Sequence, residues 1–68
     1  MKRQLSPAKI KAARQALNLT QEQLAERLGW MRQAVTRMES GDRLDPHLST
    51  AVQLAHALGK SIYDLIDD

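Results

Sequence analysis

Cysteine and phenylalanine are absent from this 68-residue sequence, and tryptophan and tyrosine occur once each. Without cysteine, neither a disulfide framework nor a cysteine-ligated zinc site can form. The two histidines, His47 and His56, are too far apart to bind one metal ion from adjacent helical turns. No apolar run approaches the ~18 residues that a membrane helix needs, and the basic N-terminus lacks the apolar segment of a secretory signal. We therefore expect a cytoplasmic protein with no metal, no cofactor and no membrane partner.

Residue combinations that are typical of catalysis are also missing. The sequence shows no Ser-His-Asp or Cys-His set, no glycine-rich phosphate loop and no close carboxylate pair in an apolar setting. A chain of this length forms at most one small domain, here residues 1–68, with a small core. We expect a binding protein and not an enzyme.

Charge is unevenly distributed along the chain, although the net charge is only +2. Residues 1–19 contain basic but no acidic side chains, namely Lys2, Arg3, Lys9, Lys11 and Arg14. Residues 44–68 carry an excess of acid instead. A domain with one basic end suits a polyanionic partner such as nucleic acid, although lysine-rich helix faces are also commonly just solvated.

Helix signals recur through the whole sequence. Helix starts are predicted at Ser6-Pro7, Thr20 with Gln23, Asp45-Pro46, and Ser61 with Asp64. Asn18, Gly29, Gly41 and Gly59 are the predicted stops. Apolar residues at helical spacing line the segments between, including Leu48, Ala51, Val52, Ala55 and Leu58 in the fourth. The pattern predicts an all-α compact bundle of five short helices.

Residues 20–41 predict a helix-turn-helix formed by the second and third helices. The small side chain of Ala25 allows the two helices to cross closely. Gly29 supplies the backbone conformation that the turn needs, and Val35 points back into the crossing.

The third helix has two unlike faces. Met31, Val35 and Met38 form its apolar side, and the opposite side carries Arg32, Gln33, Thr36 and Arg37 with no carboxylate. Arginine, glutamine and hydroxyl groups are those that hydrogen-bond to base edges and phosphates. In a helix-turn-helix, this face enters the DNA major groove.

The blocks LTQEQLAERLG and RQAVTRMESG, at this separation, resemble the DNA-binding domain of the lambda repressor and Cro superfamily. The resemblance covers nearly the whole chain. It implies a five-helix fold that binds operator DNA as a homodimer and is nucleoid-associated when bound.

The resemblance also implies roles for individual residues. The base-reading positions align with Arg32, Gln33, Thr36 and Arg37. A phosphate-binding position aligns with Gln21, which also supports the first recognition side chain. Arg43 follows the position at which backbone and side chain commonly meet phosphate, and is expected to bind phosphate as well. From its charge alone, Lys9 is expected to add attraction to phosphate. Structural roles fall to an Arg14–Glu39 ion pair between helices one and three, and to Ala25, Gly29 and Val35.

Trp30-Met31 departs from the family pattern, in which a Ser or Thr commonly caps the third helix. Methionine cannot cap. Trp30 can compensate by packing on Val35 as a hydrophobic staple, or Met31 can reach a thymine methyl group. We favour packing.

The sequence therefore predicts a transcriptional regulator, a repressor that acts as a weak homodimer on an inverted-repeat operator. An antitoxin or a restriction-modification controller that also binds a partner protein is an alternative. A protein-interaction module without DNA binding is less favoured, because Arg32 and Gln33 suit DNA. Ile62, Tyr63 and Ile66 belong either to the core or to a dimer interface.

Overall fold

The computed structural model describes residues 4–42 and 48–67. Most of this part is helical, in α1 (Pro7–Ala16), α2 (Gln21–Leu28), α3 (Arg32–Ser40) and α4 (Leu48–Leu58). A 3₁₀ helix (Ile62–Leu65) follows, and two strands of two residues each, β1 (Gln4–Leu5) and β2 (Ile66–Asp67), flank the helices. The predicted bundle of five short helices is confirmed, with the 3₁₀ helix as the fifth. None of the helices in the described ranges has the length and apolar character to cross a membrane.

The first helix begins and ends as its sequence predicts. Ser6 is the N-cap, and its side-chain oxygen accepts a hydrogen bond from the Lys9 amide at 3.2 Å. Pro7 occupies the first turn, where a missing amide proton costs little. Asn18 follows the helix with φ of 57°, in the left-handed region that asparagine tolerates.

The second helix is fixed by a capping box and a glycine stop. The Gln23 amide donates to the Thr20 hydroxyl at 3.0 Å, and the Thr20 amide donates to the Gln23 side-chain oxygen at 2.8 Å. Gly29 ends the helix at φ +71°, where an added Cβ would meet no atom within 4 Å. Glycine is therefore favoured at position 29 by the positive φ angle and not by lack of space for a side chain.

All four α-helices and the 3₁₀ helix contribute to one apolar core. Its buried members are Leu5, Ile10, Ala13, Leu24, Ala25, Leu28, Val35, Met38, Leu54, Ala55, Leu58 and Leu65. Ala25 and Val35 are almost inaccessible to solvent where α2 packs against α3. The close crossing predicted for these two helices is therefore present.

The predicted apolar face of α4 is partly wrong. Leu48 and Val52 are 75% and 52% exposed, whereas Leu54, which the predicted face omitted, is 1% exposed. Seven of the eleven residues of LSTAVQLAHAL are apolar, so its apolar face is wider than the side that the bundle buries, and periodicity does not locate the buried part. Its predicted start at Asp45-Pro46 lies outside the described residues.

A short antiparallel strand pair, unpredicted by the sequence, joins the two ends of the described chain. Leu5 lies opposite Ile66, and the Ser6 amide donates to the Leu65 carbonyl at 2.7 Å. The Lys9 ammonium donates to the Ile66 carbonyl at 2.7 Å and lies 3.3 Å from the Asp67 carboxylate. The basic first helix and the acidic C-terminal segment are therefore neighbours, which corrects the expectation of a basic end apart from the acidic residues.

Candidate nucleic-acid interface

Helix α3 buries one side and exposes the other. Val35 and Met38 are 0% and 6% exposed and seal the helix against the core. The four side chains that the sequence singled out are all exposed on the remaining surface, namely Arg32, Gln33, Thr36 and Arg37. The described structure thus brings two guanidinium groups, an amide and a hydroxyl together on a solvent-facing helix.

A groove between α2 and α3 runs along this surface. It is lined by Glu22, Ala25, Glu26, Trp30, Arg32, Gln33, Thr36 and Arg37. Glu22 and Glu26 belong to α2. The sequence pattern of α3 alone does not predict that they lie beside its exposed face. Carboxylates repel phosphate, so Glu22 and Glu26 make the α2 side of the groove less favourable for a polyanion than the α3 side.

Met31 is the N-cap of α3 but makes no side-chain capping hydrogen bond, as expected for methionine. Trp30 is half-buried and packs on the core cluster that includes Val35. The Met31 side chain, however, is 73% exposed, so its predicted place on the buried side of the helix is wrong. Met31 has an extended backbone conformation as the N-cap, so its side chain does not follow the helical periodicity that places Val35 and Met38 in the core. Met31 and Ala34 instead form a small apolar surface beside Gln33 and Arg37.

Arg14 and Glu39 form the ion pair between α1 and α3 that the resemblance implied. Arg14 Nε and Nη2 donate to the two Glu39 carboxylate oxygens at 2.7 and 3.0 Å. The side chains are only 10% and 3% exposed. Arg14 Nη1 also donates to the Leu19 carbonyl at 2.6 Å, which ties the pair to the turn before α2. Hydrogen bonding to Glu39, together with the charge of its carboxylate, raises the pKa of Arg14 above its usual value despite burial, so this guanidinium stays charged.

Gln21 connects this ion pair to the exposed face of α3. Its amide nitrogen donates to Glu39 Oε1 at 3.2 Å, and its amide oxygen accepts from the Thr36 hydroxyl at 2.8 Å. The resemblance placed Gln21 in support of the first recognition side chain, whereas here it contacts Thr36, one turn beyond Arg32. A sequence pattern does not give this link, because it joins residues from two helices.

The remaining predicted residues fall elsewhere. The Lys9 ammonium donates to the Ile66 carbonyl and lies near the Asp67 carboxylate, so these two acceptors compete with phosphate for it. Arg43 lies outside the described residues. Tyr63 is 73% exposed and does not belong to the core. Arg37 Nε lies 3.6 Å from the Asp42 carboxylate at an exposed site, where ion pairs are weak and readily exchanged.

Residues 10–65 match the helix-turn-helix family. The chain is 47% identical over 51 residues to an uncharacterized HTH-type transcriptional regulator from Methanothermobacter thermautotrophicus, covering 75% of this chain and 72% of that protein. The chain therefore belongs to the Cro/C1-type helix-turn-helix family of transcriptional regulators.

Solved structures share the fold. The restriction-modification controller protein C.AhdI from Aeromonas hydrophila superposes with a TM-score of 0.77 at 31% identity, covering 85% of this chain and 86% of that one. The P22 c2 repressor protein in complex with a synthetic operator superposes with a TM-score of 0.79 at 28% identity, covering 91% of this chain and 94% of that one. CoII HppE in complex with substrate superposes with a TM-score of 0.85 at 28% identity, but this chain spans only 34% of that protein.

Proposed function

We propose that this protein represses transcription by binding an operator in double-stranded DNA, with the exposed face of α3 in the major groove. The main support is the exposed surface of α3, whose opposite side is sealed in the core. This surface presents four polar side chains together, namely Arg32, Gln33, Thr36 and Arg37. A repressor of similar fold is known in complex with an operator, which supports this mode of binding.

The four side chains suit different parts of the groove. Arginine makes bidentate hydrogen bonds to guanine, and glutamine makes them to adenine. Arg32 and Gln33 occupy the first turn of α3, the part of a recognition helix that most often contacts base edges. We assign Arg32, Gln33, Thr36 and Arg37 to base reading. Met31, exposed beside Gln33 and Arg37, is available to contact a thymine methyl group.

Phosphate contacts are assigned to Gln21 and Arg43. The Gln21 amide nitrogen uses one proton on Glu39, which leaves its second proton for a phosphate oxygen. Arg43 keeps the assignment that the resemblance implies. We leave Lys9 out because the C-terminal strand engages its ammonium.

Selection of bound duplexes from a random DNA pool tests the proposal. We expect the wild-type protein to enrich one motif, and Arg32→Ala to lose preference at one position of each half-site by about 1–3 kcal/mol. Arg27→Ala is the matched control, because this arginine lies in the last turn of α2 and outside the groove lining. Equal losses for both variants, or the absence of any enriched motif, would contradict the assignment.

The repressor is proposed to act as a weak homodimer. One recognition helix contacts too few base pairs to single out an operator among the sites of a genome. A two-fold dimer solves this by placing two recognition helices about 34 Å apart along the DNA. Leu48 and Val52, one turn apart on α4, are exposed apolar side chains, as is Tyr63. We propose that these three residues meet a second copy.

Sedimentation with and without a palindromic duplex built from the enriched motif tests the dimer. We expect mostly monomer at micromolar concentration and two chains per duplex at saturation. Val52→Asp is expected to weaken the second binding event, and Ala12→Asp, at an exposed position of α1, is the control. One chain per palindrome at saturation would contradict the dimer.

A restriction-modification controller is the second candidate, and the similarity to C.AhdI over most of both chains favours it. Such a protein would use the same DNA-binding face. Neighbouring genes for a methyltransferase and an endonuclease would support this role, whereas a neighbouring toxin gene would point to an antitoxin.

A further inference from the structure

We propose that Thr36 reads DNA only as a hydrogen-bond acceptor, because protein acceptors hold its hydroxyl proton on the inner side. The inference rests on the proposed function, since it concerns a residue assigned to base reading. It predicts which group of a base pair Thr36 contacts and makes Gln21 a positioning residue for that contact.

The chain of hydrogen bonds starts at the shielded ion pair. Arg14 donates to both Glu39 oxygens, so the carboxylate is held in one orientation beside α1. Its Oε1 atom also accepts from Gln21 at 3.2 Å. A carboxylate paired with arginine offers acceptors and no donor.

This acceptor fixes the orientation of the Gln21 amide. The oxygen and nitrogen of an amide are distinguished by their hydrogen-bond partners. Turning the Gln21 oxygen towards Glu39 would set two acceptors against each other, so the nitrogen faces Glu39. The amide oxygen is then directed at Thr36, 2.8 Å from its hydroxyl.

Thr36 consequently faces only acceptors inside the protein. Its hydroxyl oxygen lies 2.8 Å from the Gln21 amide oxygen and 3.2 Å from the Arg32 carbonyl. A hydroxyl has one proton and two lone pairs. Whichever of the two oxygens takes the proton, the groups left for a ligand are lone pairs and the methyl group.

Lone pairs select among the groups in the major groove. The hydrogen-bond donors there are the amino groups of adenine and cytosine, whereas guanine O6, thymine O4 and all purine N7 atoms are acceptors. Phosphate oxygens are acceptors as well. Thr36 is thus suited to an adenine or cytosine amino group and not to phosphate.

Duplexes with single-atom changes test this directly. The duplex enriched by the wild-type protein is used, and the base pair that responds to Thr36→Val, which removes the hydroxyl but keeps the shape, is identified first. Every base pair presents one amino group in the major groove, on its adenine or on its cytosine, and this group is the expected partner of Thr36. Replacing adenine by purine, or cytosine by 2-pyrimidinone, deletes only the amino group and should weaken wild-type binding about 3- to 10-fold, as for one hydrogen bond. The same deletion should leave Thr36→Val binding unchanged.

Gln21→Ala tests the positioning role. Without the amide oxygen, only the longer hydrogen bond to the Arg32 carbonyl at 3.2 Å holds the proton on the inner side. The hydroxyl is then freer to turn outward, so we expect the amino-group effect to shrink at least about two-fold. Gln53→Ala is the matched control, because it also removes a glutamine hydrogen bond, here to the Leu28 carbonyl at the C-terminal end of α2. That variant should keep the full effect.

Several results would overturn the inference. One is unchanged wild-type binding when the amino group of the responsive base pair is deleted, and another is an effect of 7-deazaadenine, which lacks N7, without an effect of amino-group deletion. A third is that Thr36→Val binds the enriched motif without a changed preference at any base pair. Failure of the wild-type protein to enrich any motif is different, because it would overturn the proposed function together with this inference.

Discussion

Truncation of Glu39 to alanine is expected to remove much of the stability of this domain. The Glu39 and Arg14 side chains are 3% and 10% exposed, and three hydrogen bonds reach the Glu39 carboxylate. Removing it strands a shielded guanidinium, which costs about 3–5 kcal/mol. A chain of this length has a total stability of about 3–10 kcal/mol, at about 0.05–0.15 kcal/mol per residue. Glu39→Ala should therefore lose between about a third and all of the stability of the domain at 25 °C.

Urea unfolding followed by far-ultraviolet circular dichroism measures this loss. Asp42→Ala is the matched control, because Asp42 also pairs with an arginine, but at 3.6 Å and with both side chains mostly exposed. Its effect should stay below about 1 kcal/mol.

A double substitution separates a stranded charge from lost packing. Arg14→Met with Glu39→Met replaces both charges by apolar side chains of similar length, and such replacements are commonly neutral or stabilising. We expect the double variant to recover most of the stability that Glu39→Ala loses. Equal stability of Glu39→Ala and Asp42→Ala would refute the reasoning, since it would mean that water reaches the Arg14–Glu39 pair.

Three further predictions concern local features. Met31→Ser should raise the free energy of unfolding by about 0.5–2 kcal/mol, because serine can cap α3; no change in the urea midpoint would contradict this. Gly29→Ala should lower it by about 1–2 kcal/mol through its positive φ, and wild-type stability would show that the turn rearranges. Lys9→Ala should cost at most about 1 kcal/mol and leave the salt dependence of DNA binding, followed by Trp30 fluorescence, unchanged. A flatter salt dependence would restore Lys9 as a phosphate contact.

The parts of the fold that local chemistry determines were predictable from the sequence. The Thr20–Gln23 capping box links residues three positions apart, and Gly29 ends α2 through its own backbone angle. The separation of Val35 from Arg32 and Thr36 follows from helical periodicity alone.

Other features depend on contacts between distant segments. The link from Lys9 to the Ile66 carbonyl joins residues 57 positions apart, and strands of two residues are too short to show an alternating pattern. The exposure of Leu48 and Val52 depends on which part of the wide apolar face of α4 meets the bundle. The Gln21–Thr36 hydrogen bond required the crossing of α2 and α3, although both residue types were recognised as binding groups.

The location of the DNA contact is tested most directly by the backbone amide chemical shifts of the ¹⁵N-labelled protein during titration with the enriched duplex. If α3 enters the major groove, the largest changes should fall on residues 31–37 and on Gln21. A scrambled duplex of the same length should give smaller changes that disappear as salt is raised. Largest changes on α4 and the 3₁₀ helix, or equal responses to both duplexes, would contradict sequence-specific binding through α3.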